Sequence, residues 1–334
     1  MGYASEKEKI EKRIRLLKRV GLGVLIAVLL FLSVFSLFVP PQTWKYHVAK
    51  PKISQRKQGE LRIHFLDVGQ GDCTLVELPD GKTALIDGGD GSESTATTIL
   101  RYLNALDVDA IDYLVVTHAD SDHCGGLDKV VKYKKIKNAY LPKTLPSVND
   151  EYAELYAALV EEDCALSYSS RKIDISTAHS YSYTLSFLYP YTADVEGEET
   201  ATESNDSSAV VWLDYQGVSA LFTGDVSSEV EKKLMQDHAL GAFENRGVDL
   251  PSTEIIKIAH HGSNDSTSEE FLRFLGVETA AISCGKNNLY GHPSDDVLTR
   301  LQTVNAKVYR TDKNGNITIT IKQDGTYGVK TLKN

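Results

Sequence analysis

The apolar and polar positions of the chain change character twice. Val20 to Val39 (VGLGVLIAVLLFLSVFSLFV) runs for 20 residues without a charge and is followed by Pro40-Pro41. At a rise of 1.5 Å per residue a helix of that length spans about 30 Å, the hydrocarbon thickness of a bilayer. Every face is apolar, whereas a helix in a soluble protein keeps a polar stripe. The run exceeds the roughly 7–15 residues of a signal-peptide core, and no A-x-A cleavage signal follows it. The pattern predicts an uncleaved membrane anchor. Lys50–Gly59 (KPKISQRKQG) then has no apolar periodicity and reads as a linker.

From Leu61 onward short apolar runs alternate with turn signals. Strands are predicted at Leu61–Val68, Thr74–Leu78 and Thr83–Ile86, the last two joined across Asp80-Gly81, a strong hairpin signal. A helical window at Ser94–Leu106 precedes the apolar strand Tyr113–Thr117. Later strands are predicted at Leu185–Leu188, Ala209–Tyr215, Val218–Thr223, Glu254–Ala259, Thr279–Ser283, Lys307–Arg310 and Ile317–Ile321. Helices fit Glu151–Glu162, Glu229–His238, Ser268–Leu275 and Asp295–Thr303. A meander of strands thus gives way to strands alternating with helices, which predicts an α/β fold with mixed sheets. The segment at 194–208 (DVEGEETATESNDSS) reads as an acidic surface loop. Four segments are expected: a basic tail at 1–19, the anchor at 20–39, a linker at 40–59 and one domain at 60–334.

Composition excludes some classes and sharpens the topology. A charged fraction of 25% with 42% hydrophobic residues is globular, and 4 Cys in 334 residues are no disulfide framework. The net charge of −10 hides a segregation. Residues 1–58 hold 12 Lys/Arg against 3 Asp/Glu, a balance of +9, which leaves −19 on the remainder. Lys7, Lys9, Lys12, Arg13, Arg15, Lys18 and Arg19 crowd the near side of the anchor. Lys45, Lys50, Lys52, Arg56 and Lys57 follow it more sparsely. The excess of positive charge predicts a single-pass protein of the cell membrane, with a cytoplasmic N-terminus and the domain outside. Trp44 and Tyr46 are placed to sit at the outer interface.

The chemistry gathers at strand ends. Thr117-His118-Ala-Asp120-Ser-Asp122-His123-Cys-Gly-Gly126 leaves an apolar strand with two imidazoles and two carboxylates within six residues. Buried together they repel or go uncompensated unless a cation sits among them. Asp87 in Ile86-Asp-Gly-Gly89 and Asp225 in Thr223-Gly-Asp225 end two more strands. His260 and His261 in His260-His-Gly-Ser263 end a fourth, and His292 in Tyr290-Gly-His-Pro293 follows a fifth. Five strand ends presenting His or Asp are the layout of a metal site at the edge of sheets. Cys124 beside His123 is expected to pack rather than ligate. His47, His64, His179 and His238 lie outside any cluster and read as ordinary surface or strand residues.

These motifs, with Phe65-Leu-Asp-Val-Gly-Gln-Gly-Asp72 and Arg310-Thr-Asp312, resemble the metallo-β-lactamase superfamily of metal-dependent hydrolases. More narrowly they resemble the extracellular hydrolase domain of the ComEC competence family, over about residues 61 to 322, here on a single anchor without the family's channel portion. The resemblance implies a four-layer αββα sandwich and two divalent ions, Zn2+ or Mn2+ with Mg2+ as a further candidate. It implies His118, Asp120, Asp122 and His123 as the first ligand cluster, Asp225 as the bridging carboxylate and His292 as the closing ligand. His260 or His261 then contacts phosphoryl oxygens or transfers a proton, and the two late histidine sites are open to exchange of roles. Asp122 also orients the attacking water. Asp87 and Asp67 are expected to support the ligands from behind, and Asn205, Ser207, Ser208, Asn288 and Tyr290 to meet substrate. Two departures stand out: Asp120 where most relatives have His, and Asn205 where an extra His ligand is usual. Both make one metal position oxygen-rich, which moves preference from zinc toward manganese or magnesium.

Substrate is left open between classes. The resemblance favours a phosphodiester, including single-stranded DNA. A domain of −19 exerts no net pull on a polyanion, although Lys129, Lys132, Lys134, Lys135 and Lys137 are positioned in sequence to form a local basic groove. An acidic surface also suits a cationic diester such as choline phosphate in a cell-wall or lipid headgroup. A metal-binding membrane protein without turnover is a third reading. No protein partner is predicted.

Overall fold

A computed structural model of the chain describes residues 2–170, 172–177, 181–191 and 205–333. The tip of the acidic loop and His179 lie outside the described residues. Contacts divide the chain into two compact units, Met1–Ala49 and Lys50–Asn334.

In the first unit one helix runs Gly2–Phe35. It contains the one stretch among the described residues long and apolar enough to cross a membrane, Glu8–Phe35, with a mean hydropathy of 2.2. Its polar end carries the exposed pairs Lys12–Glu8 and Arg15–Glu11, one turn apart. The helix ends at Phe35, and turns, with the Val39 amide donating to the Phe35 carbonyl at 2.9 Å, carry the chain to Pro40. Trp44 folds back on this end, its Nε1 donating to the Val39 carbonyl at 2.8 Å and its ring 5.5 Å from Phe35.

The second unit is built from fifteen strands among the described residues: β1 (Leu61–Phe65), β2 (Thr74–Glu77), β3 (Thr83–Ile86), β4 (Ala110–Val115), β5 (Lys135–Leu141), β6 (Ala165–Tyr168), β7 (Asp174–Ser176), β8 (Tyr183–Tyr189), β9 (Val210–Tyr215), β10 (Val218–Phe222), β11 (Thr253–Lys257), β12 (Thr279–Ile282), β13 (Lys307–Arg310), β14 (Ile317–Ile321) and β15 (Tyr327–Thr331). One sheet has the order β15-β14-β1-β2-β3-β4-β5-β6 and the other β13-β12-β11-β10-β9-β8-β7. The expected hairpin pairs β2 with β3, with Val76 opposite Ala84. Beyond β3 the first sheet is parallel through β6, and β10 to β13 are parallel in the second.

Period-two alternation builds the layers. Val211, Leu213 and Tyr215 of β9 face Ile63, Phe65 and Val76 of the first sheet, in a core between the sheets. Val210 and Trp212 point the other way, onto the helices Ser228–Ala239 and Glu269–Leu275. On the far side of the first sheet, helices Glu93–Ala105, Leu127–Tyr133 and Asp150–Glu161 bury Ile99, Val130 and Leu155. The result is the expected αββα sandwich. Strands buried on both faces read as continuous apolar runs, which is why they were legible.

Lys50–Gly59, expected as a linker, is tied to this unit. Lys50 Nζ donates to the Asn104 carbonyl at 2.8 Å, and the Tyr215 hydroxyl donates to the Gly59 carbonyl at 2.6 Å. Lys50 and Arg56 find backbone carbonyls and Gln55 meets Asp107, contacts that carry no periodicity.

Candidate metal centre

The chemistry-bearing residues gather where parallel strands end. Asp87 follows β3, Thr117 and His118 follow β4, Asp225 follows β10, and His260 and His261 follow β11. The C-terminal edge of parallel strands is where side chains from different loops converge on one crevice.

Asp87 is the hub. It adopts φ +59°, and its Oδ1 accepts the Thr117 amide at 2.8 Å. Its Oδ2 accepts the Thr117 hydroxyl at 2.7 Å and lies 2.8 Å from His123 Nδ1. That bond fixes the His123 tautomer and turns Nε2 inward, 3.2 Å from Asp225 Oδ2. The loop closes this tightly because Gly71, at φ +133°, lies against the Asp122 carbonyl where any Cβ would collide. The Asp72 amide then donates to that same carbonyl at 3.0 Å.

His260 and His261 both hold left-handed backbone, φ 49° and 53°, a costly pair for non-glycine residues. The turn aims His261 into the centre. Its Nδ1 donates to the Ser283 carbonyl at 2.9 Å, and its Nε2 lies 3.1 Å from Asp122 Oδ2 and 3.5 Å from Asp225 Oδ2. Beneath them Lys257, buried, forms an ion pair with Asp72, donates to the Gly224 carbonyl at 3.0 Å and stands 3.5 Å from Asp225 Oδ1.

Charge inside the centre is mutually held. Burial works against the cationic forms of His123 and His261, yet Asp225, with Asp87 for His123 and Asp72 for His261, draws both above their ordinary values. Burial opposes ionisation of Asp122 and Asp225, and the imidazoles with Lys257 beside Asp225 hold both below the carboxylate range. His260 and His292 go the other way, lowered chiefly by burial.

The donors fit divalent ions. His118, His123 and Asp225 bring ligand atoms within 4.8 Å of one another, as do Asp122, His123 and His261, and Asp72, Asp87 and His123. Nε2 of His118 and Oδ1 of Asp120 are buried without a hydrogen-bond partner among the described residues. Leaving such groups unpaired costs about 1–3 kcal/mol each, and imidazole nitrogens with carboxylate oxygens are the donors zinc and manganese take.

The remaining expected residues divide. His118 is fully buried within the cluster, and the partly exposed Asp120 borders it, Nε2 and Oδ2 3.6 Å apart. His260 reaches Asp225 Oδ2 at 3.9 Å and has the Asn205 amide at 3.3 Å. His292 takes no part in the ligand trios; its ring packs edge-on to His260 with centroids 5.5 Å apart. Ser208 is buried and accepts the Asp225 amide at 3.1 Å, so it braces the loop rather than facing substrate. Ser207 ends the short turn Asn205–Ser207 next to it. Asn288 clamps its own loop, and Tyr290 stands exposed on it. Asp67 is not brought to the cluster: its carboxylate meets Lys333 at 3.3 Å. Asp72 occupies the inner position instead, because the chain turns at Gly69–Gly71 between them. Cys124 packs, its thiol donating to the Ala119 carbonyl and pushed up by burial. Lys257 escaped the sequence reading, although a lysine two positions after Ile255 on a strand buried on both faces was a usable signal.

The basic groove does not form. Lys134 is buried against Asn104 and Asp109, and Lys137 meets Asp112 at 2.6 Å. Lys129 lies 3.4 Å from Asp128, and Lys132 lines a depression with Asp128, Glu154, Glu161 and Glu162. Carboxylates pair with three of the five lysines.

The Metallo-beta-lactamase superfamily model matches residues 66–286. The chain is 33% identical to ComE operon protein 3 of Bacillus subtilis over 286 residues, 81% of this chain and 34% of that protein. It is 28% identical to competence protein ComA of Neisseria gonorrhoeae, over 77% of this chain and 32% of that one. The chain thus spans about a third of the length of the curated relatives it matches. Among solved structures, the metallo hydrolase Igni18 from Ignicoccus hospitalis covers 82% of this chain and 100% of its own, at 15% identity and a TM-score of 0.45. With a matching family model over most of its domain, the chain belongs to the metallo-β-lactamase superfamily.

Proposed function

We propose that the chain is a membrane-tethered, metal-dependent phosphodiesterase of the competence type, acting on single-stranded DNA outside the cytoplasm. The observation that carries this reading is the convergence of His118, Asp122, His123, Asp225 and His261 on one strand edge, in a chain whose relatives are named as competence proteins. Divalent ions bound there supply Lewis acidity and a low-pKa water. His118, His123 and Asp225 would hold one position, and Asp122 with His261 would hold the second. Asp87 keeps the His123 proton on Nδ1 so that Nε2 is free to ligate. His260, half-exposed 3.9 Å from Asp225, is positioned to donate a hydrogen bond to a phosphoryl oxygen of the substrate. The basic tail before the helix supports a cytoplasmic N-terminus.

Metal analysis paired with turnover tests the reading. The full-length protein in detergent should hold up to two divalent ions and cleave bis-p-nitrophenyl phosphate and single-stranded DNA, but neither a lactam nor a thioester. A second reading draws support from the −19 domain and its neutralised lysines: a zwitterionic headgroup diester. Cleavage of a choline phosphate diester with DNA left intact, in manganese, magnesium and zinc alike, would establish that reading in place of the first.

A further inference from the structure

A polyanion needs a grip, and this domain lacks the usual one. Its net charge is −19, and three of the five lysines nearest the metal loop in sequence are paired with carboxylates. Phosphate contacts, which normally supply most of nucleic-acid affinity, are weakened by that pairing. Another kind of contact stands beside the centre. After β12 the chain forms a loop whose tip carries Leu289, fully exposed, and Tyr290, 73% exposed.

The tip is held in place. Asn288 Nδ2 donates to the Gly285 carbonyl at 3.0 Å and to the His292 carbonyl at 2.6 Å, while its Oδ1 accepts the His292 amide at 3.0 Å. Gly285 in turn donates to Gln70 Oε1 at 3.0 Å. One asparagine therefore ties both stems of the loop together, and the apolar tip projects from a closed frame. Tyr290 lies nearly parallel to the His292 ring, at 5.8 Å and 25°. His292 meets His260 edge-on at 5.5 Å, and His260 stands 3.9 Å from Asp225. A ladder of three rings leads from solvent to the ligand carboxylates, with one face of Tyr290 covered by His292 and the rest open.

We infer that Tyr290 is a base-stacking platform: the base next to the scissile phosphate of a single strand stacks on its open face, with Leu289 packing against the sugar or the neighbouring base. This rests on the nuclease reading above and adds how the strand is held. Stacking needs no positive charge and accepts every base, because each presents a π-face. A duplex keeps its bases paired and inaccessible to such a tip. The inference therefore commits the site to unpaired nucleic acid gripped through its bases rather than its phosphates.

The test compares three substrates on the full-length protein in detergent with manganese: a short oligothymidylate, the same backbone made of abasic residues, and bis-p-nitrophenyl phosphate. Removing one stacked base is worth a factor of about ten. Tyr290→Ala should lower the ratio of oligothymidylate to bis-p-nitrophenyl phosphate turnover by about that factor, through KM, and Tyr290→Phe should restore it. Wild-type protein should prefer oligothymidylate to the abasic strand, and Tyr290→Ala should lose that preference. An unchanged ratio in Tyr290→Ala, with DNA still cut, overturns the stacking platform and leaves the nuclease reading standing. Equal losses on all three substrates overturn it too, because they assign Tyr290 to support of His292. Wild-type protein that cleaves the small diester but no oligonucleotide overturns the nuclease reading itself.

Discussion

Replacing Lys257 by Met removes the one buried ammonium described beside the ligands while keeping much of its volume. Lys257 and Asp72 are each about 4% exposed, form an ion pair, and Lys257 also stands 3.5 Å from Asp225. Breaking a buried pair from one side costs about 3–5 kcal/mol, because the partner keeps its charge without compensation. Two carboxylates lose a neighbour here, so the upper half of that range is expected in metal-free protein. Asp72, Asp87, Asp120, Asp122 and Asp225 bring five negative charges to this edge, and Lys257 offsets one. Two divalent ions would balance the remainder. Bound metal should therefore recover a large part of the loss in Lys257→Met, and metal should stabilise the variant more than wild type. Urea unfolding of the full-length protein in detergent, followed by fluorescence of buried Trp212, gives the difference with chelator and with manganese. Adding Asp72→Leu to Lys257→Met should return part of the stability, since an apolar pair replaces the stranded acid. A loss below about 1 kcal/mol in chelator, or the same loss with and without metal, would refute the charge-compensation argument.

Three further outcomes are expected. Asp122→Asn, His123→Ala and His261→Ala should each lower bound metal and abolish turnover of bis-p-nitrophenyl phosphate, whereas His292→Ala should keep its metal; wild-type metal content in His123→Ala ends the ligand assignment. Protease added to intact cells, or to spheroplasts where an outer membrane blocks access, should digest residues 60–334, and protection until lysis would reverse the topology. His64 is buried between Glu77 and Tyr102, and burial lowers its affinity for a proton from the ordinary 6.5 despite Glu77. The unfolded chain then binds that proton more tightly, so this part of the stability is present above about pH 6.5 and is lost as pH falls below it. His64→Gln should flatten the fall in urea midpoint between about pH 7.5 and 5.5, and an unchanged slope would assign it to other groups.

Much of the molecule was written in local pattern. An uncharged run of 20 residues, period-two apolar strands and turn dipeptides such as Asp80-Gly81 depend only on neighbours in sequence, and each reappears in the structure. Strand ends carrying His and Asp announced a metal site because burying such groups together needs a cation. The strands that escaped notice were β5, β6, β7 and β15. Three of these are sheet edges, where one side faces water and the apolar signal is diluted; β5 opens on lysines.

Contacts between distant segments decided the rest. That His261 rather than His292 lies among the clustered carboxylates depends on two left-handed residues that turn His261 toward Asp122, 139 positions earlier in the chain. Asp72 rather than Asp67 enters the centre because a turn at three residues near Gly69 swings one acid inward and leaves the other to Lys333. The lysines after the metal loop look like a basic patch in one dimension, and in three dimensions three of them pair with Asp109, Asp112 and Asp128. Sequence alone determined which strand ends carry histidine and aspartate, since hydrophobic period and residue type are local properties. Tertiary structure alone decided which of those groups share a cavity and which charges cancel, because electrostatic pairing is set by distance in space.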